Sequence, residues 1–264
     1  MCCAWASPGC HRWRWAVSGA VLCIGGLDSS GGAGVLRDSA TVHALGGTAR
    51  VAVTAVTAQS DHAVTAVHAV PSKVVTDQID IAAPVSAVKI GMLGTVGIVE
   101  AVAATLPRAP CVLDPVLMSS SGHMLLDDPG VTALLERLLP KVDLLTPNVP
   151  ELVALAHRLG VPEGDHSACV ERLLQRGCGG VLVKGGHAQG TASVDHLYRR
   201  DIPVVAFTAP RIDATLRGTG CRLASAIAVH IAQGASLVDA ITAAKHHVHG
   251  ELVLARDVAT QPRL

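Results

Sequence analysis

At 264 residues, with 21 basic and 21 acidic side chains, the chain has room for one large α/β domain and carries no net charge. No block of like charges is present to grip a phosphate backbone or an anionic lipid surface. Aromatic residues make up only 2% of the chain, and Trp5, Trp13 and Trp15 all fall in its first segment, so stacking platforms for single-stranded bases are missing. Nucleic-acid and membrane partners are disfavoured, and a small-molecule substrate is expected.

Residues 1–19 read as a disordered extension ahead of a single domain at 20–264. Arg12 and Arg14 precede an apolar run from Ala16 to Ile24, as in a secretory signal, but no Ala-x-Ala site follows and the run leads into a Gly-rich loop that needs a strand before it. No stretch reaches the roughly 18–20 apolar residues of a membrane span. The eight cysteines form no Cys-x-x-Cys pair, which points to a reducing compartment, and Cys2, Cys3 and Cys10 lack zinc-site spacing. A cytoplasmic protein is the expectation.

From Ala20 onward, β-branched runs alternate with longer amphipathic stretches. The pattern predicts strands at Val21–Ile24, Ala49–Val56, Val64–Ala69, Val85–Ile90, Cys111–Leu113, Asp143–Leu145 and Gly180–Lys184. A helix at Val35–Leu45 ends on Gly46-Gly47. Ser193–Arg199 and Ile202–Thr208 form a hairpin, and two helices follow at 220–232 and 236–255. The fold class is α/β, a three-layer α/β/α sandwich with a mostly parallel central sheet built from Ala, Val, Leu and Ile. Ligands of such sheets collect beyond the carboxyl ends of the strands.

Several motifs stand at those ends. Arg217-Gly218-Thr219-Gly220-Cys221 opens a long Ala-rich helix whose first N–H groups make an anion hole, suited to a γ-phosphate in a loose transition state. Cys221 is there a candidate general base, and a helix start with a small buried cysteine explains the residues equally well. Thr146-Pro147-Asn148-Val149-Pro150-Glu151 follows a strand and brings Asn148 and Glu151 to one face of a helix turn; with Asp114, at the end of another strand, they would suit a hydrated Mg²⁺ bridging to phosphates. An N-cap Asn with Glu in the first turn, and a turn-forming Asp-Pro, are the structural alternatives. Lys184-Gly185-Gly186-His187 suits a nucleotide phosphate or an exposed tight turn. The loop from Gly25 to Gly34 is neither a P-loop nor a dinucleotide fingerprint. His246, His247 and His249 lie on the last helix; His246 and His249 share a face, which reads as solvated rather than metal-binding.

In this order the motifs resemble the hydroxymethylpyrimidine and phosphomethylpyrimidine kinases, a branch of the ribokinase superfamily. The likeness runs from about Ala20 to Ala255 and adds Asp28–Gly34, Thr54-Ala55-Val56-Thr57-Ala58-Gln59 and Lys89-Ile90-Gly91-Met92-Leu93 to the motifs above. It implies a ribokinase-like fold and transfer of phosphate from ATP, with Mg²⁺, first to the hydroxymethyl group and then to the resulting monophosphate, usually in a homodimer. It also implies Cys221 as base beside the Gly218, Thr219 and Gly220 amides, Gln59 reading the pyrimidine, and Asp38, Met92 and Val116 lining its pocket. Lys184, Asn148 and Gly185 would then serve the nucleotide, and Glu151 and Asp114 the metal. Arg217, Arg222, Leu27 and Leu36 depart from the family pattern, and either arginine could meet a monophosphate. A pyridoxal-type kinase and a non-catalytic pyrimidine-binding paralogue are the alternative readings.

Overall fold

The computed structural model describes residues 19–60, 63–119, 122, 124–186 and 190–260. The expectation for residues 1–19 therefore lies, Gly19 apart, outside the described residues, as do Cys2, Cys3, Cys10 and His187.

The elements follow in the order β1 (Ala20–Asp28), α1 (Gly34–Ala44), β2 (Thr48–Gln59), β3 (Val64–Ala69), α2 (Ser72–Ala82), β4 (Ala87–Ile90), α3 (Val96–Thr105), β5 (Cys111–Leu113) and α4 (Asp128–Ala133). Then come β6 (Leu144–Leu145), α5 (Val149–Arg158), α6 (His166–Gln175), β7 (Val181–Val183), β8 (Ala192–Arg199), β9 (Ile202–Pro210), α7 (Thr219–Ala232) and α8 (Leu237–Thr260). The described strands form one nine-stranded sheet in the order β3-β2-β1-β4-β5-β6-β7-β8-β9. The strands from β2 through β1 and β4 to β7 pair in parallel, while β3, β8 and β9 add antiparallel margins.

Side-chain alternation divides the core in two. Leu22, Ile24, Val88, Ile90 and Leu113 point to the face covered by α2 to α6, whereas Val21, Cys23, Ala87, Val112 and Leu144 point to the face covered by α1, α7 and α8. Central strands buried on both faces have no room for polar alternation, which is why they read as short apolar runs. The three-layer expectation holds.

The clearest departure from the sequence reading is β1, which runs on through Gly25 and Gly26 and pairs with β2 as far as Asp28 and Thr57. A side chain at Gly26 would meet Met92 Sδ at 2.8 Å, so this glycine makes room within a strand rather than shaping a loop. Alternation along β4 also turns Lys89, flanked by inward Val88 and Ile90, toward α1 and α7.

Candidate active site

The first turn of α7 sits at the carboxyl edge of the sheet. Gly218 precedes it with φ +71°, and a Cβ there would lie 2.5 Å from the Gly32 carbonyl oxygen, so both the left-handed backbone and the close approach require glycine. Arg222 N–H donates to Gly218 O at 2.9 Å as the helix begins, and the N–H groups of the preceding turn have no acceptor within the helix. The facing loop is organised by Asp28, whose carboxylate accepts from Ser30 N (2.9 Å), Ser30 Oγ (2.8 Å) and Ala33 N (3.0 Å). Arg217 crosses to that loop, reaching Asp28 Oδ2 at 3.1 Å and Ser30 Oγ at 2.8 Å. Arg222 does not face the pocket. One residue beyond Cys221 the helix has turned, and its guanidinium pairs with Glu251 on α8 at 2.6 Å.

A small pocket of about 50 Å³ lies between this loop and α7, lined by Asp38, Gln59, Lys89, Met92, Val116 and Cys221 among others. All four residues expected around a pyrimidine, Gln59, Asp38, Met92 and Val116, thus meet at Cys221. Their geometry differs in one respect. Asp38 is wholly buried with both oxygens engaged, Oδ2 by Lys89 Nζ at 2.7 Å and Oδ1 by Ser225 Oγ at 2.9 Å, so its carboxylate anchors Lys89 instead of standing open to a ligand. Burial works to lower the Lys89 pKa, but Asp38, Cys221 and Asp114 together raise it and keep the amine charged. Gly91 leaves room for it, since a Cβ would lie 2.8 Å from Lys89 Nζ. Thr54 Oγ1 donates to Met92 O at 2.7 Å, and Gln59 N donates to Ser29 Oγ at 3.0 Å, which fixes two walls.

Burial pushes the Cys221 thiol up to about 11, against the pull of Lys89 and of a hydrogen bond from the Gly34 backbone, so burial and not the helix terminus sets its protonation. In the sequence Lys89 stands out only as part of the Lys89-Ile90-Gly91-Met92-Leu93 motif. A lysine at the penultimate position of a fully buried strand is the signal that marks it.

A second cleft of about 820 Å³ opens on the other side of the same helix turn, lined by Asn148, Lys184, Thr219, Gly220, Lys245 and His249 among others. Lys184 Nζ lies 2.7 Å from Asp114 Oδ1 and 3.8 Å from Glu151 Oε2. Thr146 Oγ1 donates to the same Asp114 oxygen at 3.3 Å. A Cβ on Gly220 would stand 3.1 Å from Lys184 Nζ and 3.2 Å from Asp114 Oδ2, which places this charged group against the start of α7. Asn148 and Glu151 form a reciprocal capping box, each side chain accepting the other's backbone N–H at 2.8 Å. Burial pushes Glu151 up to about 7, opposed by Lys184 and reinforced by Asp114. The Gly185 N–H is not turned to the cleft but donates to Asp195 Oδ1 at 2.9 Å.

The histidines need a correction. Lys245, Val248, His249 and Leu252 share one face of α8 that walls the large cleft, so His249 does not belong to a solvated face, although His246 is exposed. Among the described residues no group of His, Cys, Asp and Glu is arranged to hold a metal by itself. No described helix is long and apolar enough to cross a membrane.

The family model described as phosphomethylpyrimidine kinase matches residues 28–261. The chain is 38% identical over 238 residues to the hydroxymethylpyrimidine/phosphomethylpyrimidine kinase of Rhizobium meliloti, covering 88% of this chain and 89% of that protein. It is 40% identical over 245 residues to the thiamine biosynthesis bifunctional protein ThiED of Geobacter sulfurreducens, of which it spans 50% while 90% of this chain is covered. Among solved structures, a phosphomethylpyrimidine kinase from Clostridium difficile superposes with TM-score 0.73 at 33% identity, covering 88% of this chain and 99% of that one. A pyridoxal kinase from Staphylococcus aureus in complex with AMP-PCP and pyridoxal gives 0.76 at 29%, covering 87% and 86%. With a family model spanning nearly the whole described domain and these likenesses in sequence and fold, the chain belongs to the phosphomethylpyrimidine kinase family.

Proposed function

We propose that this kinase transfers the γ-phosphate of ATP to the hydroxymethyl group of 4-amino-5-hydroxymethyl-2-methylpyrimidine and then to the phosphate of the product, in thiamine biosynthesis, acting in the cytoplasm as a homodimer. One observation carries the reading. Cys221 lines the small pocket while Thr219 and Gly220, in the same helix turn, line the large cleft, so an acceptor and a donor would meet at the N-terminus of α7.

The small pocket suits a single substituted ring, with Gln59 offering both a donor and an acceptor to an aminopyrimidine edge. The large cleft suits a nucleotide, whose phosphates would lie between Lys184 and the α7 amides. Asp114 and Glu151 are hard oxygen donors next to that lysine, a set that would hold a Mg²⁺ keeping most of its waters, and the ion would neutralise charge on the transferring group. In the transfer, the acceptor oxygen forms its bond to the γ-phosphorus as the bond to the ADP oxygen breaks, and the hydroxyl proton passes to the Cys221 sulfur. The first-turn amides hold the equatorial oxygens, where preorganised donors act most strongly. Because Cys221 is raised to about 11, only about one molecule in ten thousand holds it as thiolate at pH 7, so turnover should climb with pH.

For the second phosphorylation, Arg217 is the candidate cation, because it pairs with Asp28, which lines the small pocket, and with Ser30. Steady-state ATP consumption with hydroxymethylpyrimidine, its monophosphate and pyridoxal as separate acceptors tests the reading. Turnover on the first two is expected. Turnover on pyridoxal alone would make the chain a pyridoxal kinase, and silence on all three from folded protein that binds the pyrimidine would make it a sensor.

A further inference from the structure

None of the roles above uses the ion pair between Lys245 of α8 and Asp195 of β8. Lys245 Nζ lies 2.6 Å from Asp195 Oδ2, with side chains 8% and 6% exposed, and 3.5 Å from Ser193 Oγ. The other Asp195 oxygen accepts the Gly185 N–H at 2.9 Å. That N–H belongs to the peptide leaving Lys184, while the N–H of Lys184 itself donates to Pro147 O at 2.9 Å. The backbone of Lys184 is thus fixed on both sides of its Cα, and its ammonium rests on Asp114 at 2.7 Å. Gly185 permits this, because a Cβ would collide with the Val194 carbonyl of β8. Arg211 completes the arrangement by donating to the carbonyls of Gly186 at 2.6 Å and Gly185 at 3.3 Å.

A buried ion pair is a weak source of net stability, since the cost of desolvating both charges offsets much of their attraction and an apolar pair of similar volume often does as well. Stability alone does not account for this one. Its geometry serves a different end, because it links the helix face that walls the large cleft to the peptide from which Lys184 departs. A small change in that peptide's orientation moves a long side chain's ammonium by more than the tolerance of a phosphate contact.

We propose that Lys245 and Asp195 are positioning residues for nucleotide binding: the pair holds the Lys184–Gly185 peptide so that Lys184 is presented to the phosphates of ATP. The proposal rests on reading the large cleft as the nucleotide site. It predicts an effect on the nucleotide that the pyrimidine does not share, because the small pocket lies across the α7 turn and draws on none of these residues.

The test is isothermal titration of ADP together with KM for ATP and for hydroxymethylpyrimidine. The variants are Lys245→Met/Asp195→Leu, which replaces both charges by apolar groups of similar size, and Lys245→Arg, which keeps the cation. The double variant should weaken ADP and raise the KM for ATP about tenfold while the pyrimidine KM stays within twofold, and Lys245→Arg should recover most of the loss. Asp195→Asn, the smallest change, should show about threefold of the same effect and decides the matter if the double variant does not fold. Lys184→Met separates the two levels of the argument. If ADP affinity ignores Lys184→Met, the cleft is not the phosphate site and the proposal falls with it. If ADP responds to Lys184→Met but not to the pair variants, or if the pair variants shift the melting temperature alone, the pair is structural and the proposal is overturned while the site stands.

Discussion

The small pocket and the large cleft share one helix turn yet are built on opposite plans. In the pocket, about 50 Å³, the charges are already paired: Lys89 with Asp38, and Asp38 with Ser225, all out of water. Side chain to backbone bonds such as Thr54 to Met92 fix its walls. The cleft, about 820 Å³, is wide and carries two lysines: Lys245 is held by Asp195, while Lys184 sits on Asp114 in direct contact, with Glu151 at a looser 3.8 Å. Recognition in the first depends on shape and a few hydrogen bonds in a low dielectric. Recognition in the second depends on charge that an incoming polyphosphate and its cation would rearrange.

The comparison breaks most sharply at the residue on the boundary. Cys221→Ala should lower kcat about 10²–10⁴-fold, the usual weight of a general base, while ADP affinity changes less than twofold. Near-normal turnover would remove Cys221 from the chemistry and leave it a pocket wall. With the thiol raised to about 11, alkylation of Cys221 by iodoacetamide should be slow at pH 7 and gain about tenfold per pH unit up to pH 10, because the thiolate is the reacting form.

The pocket's prepaid pairing is tested by Lys89→Met. It strands Asp38 as an unpaired buried carboxylate and should destabilise the protein by about 3–5 kcal/mol in urea unfolding. Lys89→Met/Asp38→Asn should return most of that loss. If the double variant is no more stable than the single, the pair is not the source of the cost.

These two residues also mark how far the sequence could be read. Every described strand was legible, because short apolar runs such as Cys111–Leu113 leave no other way to bury both faces. The helix starts at Asn148 and Gly218 were legible from caps and glycine. Spacing could place Asp114, Asn148, Glu151 and Lys184 at strand ends, but it could not say that Lys184 would rest on Asp114. Nor could it show that Asp38 would be occupied by Lys89, 51 residues away, or that Asp195 would meet Lys245, 50 residues away. Pairings across such distances are decided by which sheet face each side chain takes and which helix packs there. The misreading of Arg222 has the same origin, since a single helical step separates a group facing the pocket from one facing α8. A lysine in the apolar strand Ala87–Ile90 and another on the inward face of α8 were the available clues.

A milder change sharpens the contrast on the pocket side. Gln59→Ala removes hydrogen-bonding groups worth about 1 kcal/mol and should raise the KM for hydroxymethylpyrimidine roughly fivefold, with the KM for ATP unchanged. Equal movement of both KM values would mean that the Gln59 side chain supports the pocket wall through the hydrogen bond it accepts from Thr57 Oγ1 and does not read the ring.

The smallest expected effect lies in the cleft and concerns protons. Burial lifts Glu151 to about 7, so in the ligand-free protein at neutral pH the carboxyl is close to half protonated. This folded value lies above the ordinary carboxylate range, so the folded state holds a proton that the unfolded chain has already lost. That contribution to stability is present at low pH and fades as pH rises through 7. A cation needs the carboxylate form, so its binding must expel the proton. The apparent Mg²⁺ affinity should therefore be about fourfold weaker at pH 6.5 than at pH 8, the ratio of ionised Glu151 at those values. Glu151→Gln should weaken the Mg²⁺ response at every pH and flatten this dependence, because the amide cannot titrate. A pH profile left unchanged by the substitution would assign the titration to another group and take Glu151 out of the proposed metal site, leaving it the partner of Asn148 in the capping box of α5.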